Sequence, residues 1–159
     1  MGNVALAVVA TQNFRAVDRV LRAAAEPSEL ARRLERLSAV EARELLRYLA
    51  SEMNRFYFRI WGWSQLLLAL LTLGGLWMGG VQDHWVRVSV VAMLALVLVA
   101  VLFLTPEITA LGRRLDFAPR NPPPPEFARF WRLHTLYTLL DLAKMGLGVL
   151  ALFRLARLS

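Results

Sequence analysis

Cysteine is absent from the 159 residues, which excludes disulfides, thiol nucleophiles and thiolate-held metals. Histidine occurs only at His84 and His134. The layout derived below puts them near opposite membrane surfaces, where they cannot share one haem iron, so no cofactor or metal is expected. Lysine occurs once, at Lys144, so the other 18 of the 19 basic residues are Arg. That usage points to GC-rich coding and hence to a bacterial source. No Gly-rich phosphate loop is present. Gly74-Gly75 and Gly79-Gly80 lie in or beside an apolar run, where small residues are expected to let helices pack closely. No activated Ser motif accompanies His134, no internal repeat is visible, and no enzyme is expected.

What is abundant is apolar sequence in blocks. Hydrophobic residues make up 57% of the chain, above the roughly 45–50% usual for soluble domains. Residues 60–79 and 88–105 carry no charge, and each approaches the length of about 20 residues that a spanning helix needs. The stretch 80–87 between them contains Gly80, Gln82, Asp83 and His84 and reads as a tight turn, making the pair an antiparallel hairpin. Residues 130–153 form a further span, interrupted by Arg132, His134, Asp141 and Lys144. Trp61, Trp63, Trp77, Trp85, Trp131 and Tyr137 suit an interfacial aromatic belt.

The N-terminus is apolar over residues 2–14, about 20 Å of helix, short of a ~30 Å hydrocarbon core. With the apolar positions Val17, Val20 and Leu21 it reads as a first span over residues 2–25 that is shortened, tilted or missing upstream residues. The alternative is a peripheral amphipathic helix. A signal peptide is not expected, because no basic segment precedes the apolar one. Residues 28–59 read as a cytoplasmic amphipathic helical section. In it Pro27 and Ser28 stop one helix and start another, Glu29 and Arg33 pair, and Ser38 and Glu41 form a capping box. Beyond that box Ala42, Leu45, Leu46, Leu49, Met53 and Phe56 recur at helical spacing, with no breaker before Ile60. After the hairpin, Thr105-Pro106-Glu107 resembles an N-cap followed by Pro at the first helical position of a short interfacial helix. The Pro-rich stretch 119–125 is expected to be an extended linker. The expected fold is therefore all-α, an integral membrane bundle of four spans in a single domain.

Charge sets the orientation. Residues 15–59 hold 10 Arg and residues 106–132 hold five, whereas the hairpin turn holds Arg87 alone. The positive-inside rule puts the two Arg-rich stretches in the cytoplasm and the turn outside. Arg154 and Arg157 then fall outside and weakly oppose the assignment. The net charge of +7 is read as contact with phospholipid headgroups, not as a nucleic-acid footprint.

Pro106, the Arg113-Arg114 pair and Phe130-x-x-Leu133-His134 at the start of the last helix together carry a likeness to a known group. In these motifs the chain resembles the transmembrane protein 205 family, small four-helix membrane proteins whose bacterial members carry a domain of unknown function. Gln12-Asn13-Phe14 is the counterpart at the polar end of the first span. The family typically has Asn seven residues after the His, where this chain has Asp141. The resemblance implies a fold and a membrane location and brings no settled chemistry.

The candidate functional residues are His134, Thr138, Asp141 and Lys144, spaced by four, three and three. The first three share one helix face, and Asp141 can pair with Lys144 one turn on. Ionisable groups in a span are costly unless paired or hydrated, so the cluster raises a functional question. The bland alternative is an internally neutralised Asp141–Lys144 pair with His134 at the headgroups. The expected role is a structural or accessory component of the cell inner membrane, contacting lipids and either a protein partner or a second copy. A small transporter or proton-linked conductor using the polar face of the last helix is the alternative.

Overall fold

The computed structural model describes residues 2–23, 32, 37–119 and 121–157, and among these the chain is helical without strands. Helix α1 is Gly2–Ala23, α2 is Ala39–Met78, α3 is His84–Val99, α4 is Thr105–Leu115 and α5 is Glu126–Ala156. A π-helical turn, Ala100–Leu104, joins α3 to α4. Among the described residues three bodies are long and apolar enough to cross a membrane: α2, the continuous stretch His84–Leu115, and α5.

The capping box forms as the residue types require. Ser38 is extended, its Oγ accepts the Glu41 N–H at 3.3 Å, and Glu41 Oε2 accepts the Ser38 N–H at 2.8 Å. Nothing then interrupts the helix, so the polar section and the first hairpin span merge into one element of 40 residues, about 60 Å long. That is twice the ~30 Å hydrocarbon thickness, so α2 must project well beyond one face of a bilayer. The Pro27–Ser28 helix start and the Glu29–Arg33 pair lie outside the described residues. α2 ends in a Schellman turn. Gly80 takes φ +64°, its N–H donates to Trp77 O at 3.4 Å, and the Val81 N–H donates to Leu76 O at 3.3 Å. Asp83 immediately caps α3, its Oδ1 accepting the Val86 N–H at 3.0 Å, so the turn is shorter than the expected stretch 80–87.

Three expectations need correction. Thr105 is not an N-cap: it is helical, and its N–H reaches back five residues to Ala100 O. Pro106 lacks an N–H and would crowd the carbonyl four residues earlier; the wider π turn before it relieves that conflict, and the helix continues. Second, Gly74 and Gly75 face open space, so close packing does not occur there. It occurs at Gly62, where an added Cβ would lie 3.1 Å from Val101, and at Gly148, which faces Met93 at 3.7 Å. Third, Tyr137 belongs to the interior rather than the aromatic belt, because it packs with Ala100 and Leu104 beside Phe58 and Leu140. Of the apolar residues at helical spacing in α2, Ala42 is buried, as are the neighbouring Ala50 and Asn54, while Leu45, Leu49, Met53 and Phe56 are exposed at the protein surface.

Two contacts define how α2 and α5 run side by side. Phe58 meets Tyr137 edge-on at 6.1 Å, and Gln65 meets Lys144, so both pairs share one offset of 79 positions and the helices are parallel. α3 runs antiparallel to α5, with Met93 beside Gly148 and Asp83 joined to Arg154. Large apolar side chains point outward, Trp77 at 80% exposure and Met78 at 92%, a surface that hydrocarbon solvates and water does not.

α1 packs principally against α2 and is antiparallel to it, since Asn13 bonds Asn54 while Asp18 bonds Arg43. Eleven residues separate Asn13 from Gly2, so the helix start lies about 16 Å further along, near the level of Gln65. α1 therefore accompanies the polar half of α2 and reaches only part of the way along its apolar half.

The Gly62 contact yields a test. Gly62→Leu should lower thermal stability in detergent by about 1–3 kcal/mol through the clash with Val101. Gly75→Ala should raise it by up to about 1 kcal/mol, since a Cβ there meets nothing.

Candidate functional site

α5 sets Asp141 and Lys144 one turn apart on the face that meets α2. Lys144 Nζ lies 2.5 Å from Asp141 Oδ1, and the two side chains are 6% and 15% exposed. The same ammonium donates to Gln65 Oε1 of α2 at 2.5 Å. The Gln65 amide also shares a hydrogen bond with the Tyr137 hydroxyl, one turn before Asp141. A buried ammonium thus has a carboxylate and an amide oxygen, which offsets much of its desolvation cost.

Of the four residues expected to cluster, two do so. Thr138 is exposed and donates to His134 O at 3.0 Å, a bond within its own helix. His134 is half-buried, stacked on Phe130 at 6.0 Å and edge-on to Trp131 at 5.7 Å. It faces a cavity of about 730 Å³ bounded by α1, α2, α4 and α5. His84 stands at the opposite end, beside Asp83 and the end of α5, about 30 Å from His134 along that helix. Gln65 and Tyr137 complete the network although their residue types gave no strong signal. The available hint was an amide in a charge-free span, where an unpartnered polar group is costly.

Polar layers close both ends of the bundle. At the Arg-rich end Arg55 donates to both carboxylate oxygens of Asp116 at 2.7 Å and to Glu52 Oε1 at 2.6 Å. Arg113 approaches the same glutamate at 3.5 Å. This charge-assisted contact, made by Nη2 to both carboxylate oxygens, ties α2 to the residue following α4, with side chains only 10% and 5% exposed. At the hairpin end Arg154 donates to Asp83 Oδ2 at 3.0 Å. The Val86 N–H foremost, and Arg154 after it, hold the Asp83 carboxyl below the usual carboxylate range.

No family profile, curated protein or solved structure matches this chain.

Two outcomes follow. Lys144→Met should cost about 3–5 kcal/mol in a detergent melt, because it leaves the Asp141 carboxylate buried alone, and Asp141→Leu combined with Lys144→Met should cost less. Equal melting of Lys144→Met and the native protein would show the pair to be uncoupled. A carboxyl held below its unfolded value stabilises the fold above that value and ceases to do so as pH falls through the folded one. Asp83→Asn keeps a capping side chain, so it should lose less stability than the native protein between about pH 5 and pH 2.

Proposed function

We propose that this chain is a multi-pass protein of the bacterial inner (plasma) membrane, without enzymatic activity, that acts as a structural or accessory component. The observation that carries the reading is that the charges buried in the bundle engage one another: Lys144 is 5% exposed and held by Asp141 and Gln65. A group so occupied locks helices together. Three helices cross, and α1 enters from the cytoplasmic side to about half depth, a reading supported by its antiparallel register on α2. The Arg-rich ends of α1, α2 and α4 face the cytoplasm and the hairpin turn faces outward. The partners are membrane lipids together with a protein or a second copy of the chain, and not nucleic acid. Kinship with transmembrane protein 205-like proteins belongs to this proposal and rests on Pro106, Arg113, Arg114, Phe130, Leu133 and His134.

One observation favours a second reading, proton-linked conduction. Tyr137 touches the network through Gln65 and also lines the cavity beneath it. Reconstituted protein is expected to leave a proton gradient across liposomes undisturbed. A flux that Asp141→Asn abolishes without altering the melt would establish conduction instead. For orientation, Cys introduced at Gln82 should react with an impermeant thiol reagent in intact cells, and Cys at Ala39 only after permeabilisation. The native chain has no Cys, so the label has no background.

A further inference from the structure

The cavity at His134 has aromatic walls along its length, from Phe14 and Phe127 to Phe58, and unpaired charge at one end. Its α2 wall runs from Arg47 to Phe58, 11 positions or about 16 Å, roughly one leaflet of a ~30 Å hydrocarbon core. Arg15 and Arg47 stand toward the end remote from the hairpin. Asp18, beside them, is paired with Arg43, and Asp116 is paired with Arg55. Arg15 and Arg47 have no such partner among the described residues, so this end carries two guanidinium groups without counter-ions. Toward the hairpin the walls are Ala10, Phe58, Phe130 and Tyr137 with the uncharged polar groups of Asn54, Thr105 and His134 among them. The volume, about 730 Å³, is within the range of sites that hold small molecules, roughly 300–1,000 Å³.

We propose that this cavity binds one anionic phospholipid of the cytoplasmic leaflet, its phosphate between Arg15 and Arg47 and one acyl chain along Phe58, Phe130 and Tyr137. The placement of charge matches that of a lipid entering from the cytoplasmic face: two unpaired guanidinium groups at the headgroup level, and aromatic walls without unpaired charge above them. A soluble anion would satisfy the two guanidinium groups and leave the aromatic walls uncovered. A zwitterionic lipid would cover those walls and bring its own cation against Arg15 and Arg47. The site uses residues other than the Asp141–Lys144 pair, and it depends on the membrane orientation proposed above without requiring an accessory role. α1 supplies one wall, so the ligand would also fasten this helix to the bundle.

The full chain, purified in detergent, is incubated with equimolar phosphatidylglycerol and phosphatidylcholine and analysed by native mass spectrometry. One phosphatidylglycerol adduct should exceed the phosphatidylcholine adduct by about tenfold, as expected for two Arg at a headgroup. Arg15→Gln with Arg47→Gln should abolish the preference, while Arg157→Gln at the other end should retain it. If the double variant fails to fold, Ala10→Trp carries the test: it fills the end toward the hairpin and should remove the adduct with both Arg in place. Equal retention of the two lipids, a preference that survives the double variant, or an adduct that survives Ala10→Trp would overturn the proposal. Displacement of the lipid by equimolar inorganic phosphate would overturn it too, identifying a site for a free anion. Topology labelling that reversed the proposed orientation, with the adduct still present, would refute the leaflet assignment and leave the site standing.

Discussion

Lys144 reaches in two directions at once, to Asp141 along its own helix and to Gln65 across the interface, and this joins α5 to α2 in a single register. A slip of one residue would carry the ammonium away from the amide and leave both polar groups in an apolar interior. The neighbouring contacts obey the same offset: Phe58 meets Tyr137 two turns toward the Arg-rich end. Association between apolar helices that lipid could solvate equally well is weakly specified by hydrophobicity alone. Polar pairing supplies the specification here, and the close approach of Gly62 to Val101 supplies the space for it.

From that level the molecule is bounded by polar layers in both directions. Arg55 grips Asp116 and Glu52 ten residues below Gln65, and Asp83 holds Arg154 at the hairpin end. The distance from Arg55 to Gly79 along α2 is about 36 Å, comparable with a hydrocarbon core and its immediate interface. Well-exposed pairs such as Arg43–Asp18 and Arg129–Glu107 contribute little to stability, since water and salt screen them. The buried Arg55–Asp116 pair differs: Nη2 of Arg55 meets both carboxylate oxygens and the pair is shielded, so it fixes where the chain turns after α4.

α1 stands apart from this scheme. Among the described residues it is tied to α2 by the Asn13–Asn54 amide bond, by the Asn54 amide donating to Ala10 O, and by the Asp18–Arg43 pair, and between it and α4 and α5 lies the cavity. A wall held chiefly on one side leaves room for a ligand on the other, which is why the lining of the cavity bears on the behaviour of α1.

Much of the helical layout was legible from residue order, because its causes act within one helix. Charge-free runs predicted the apolar parts of α2 and α3, an apolar run interrupted by charges predicted α5, the Ser38–Glu41 spacing predicted a cap, and the three-residue spacing of Asp141 and Lys144 predicted their pairing. The lack of a breaker at Ile60 is likewise why α2 runs on as one long helix. Tertiary structure decided which polar groups join that pair, since Gln65 is 79 positions from Lys144 and no local pattern links them. It also drew Tyr137 into the core, aimed His134 into a cavity instead of the network, and carried the helix through Pro106 by means of a π turn. Periodicity and chain length govern backbone hydrogen bonding and the face a residue occupies on its own helix. The meeting of two helices depends on where small side chains admit close approach and on which buried polar groups must be satisfied together, conditions that exist only once the helices are packed.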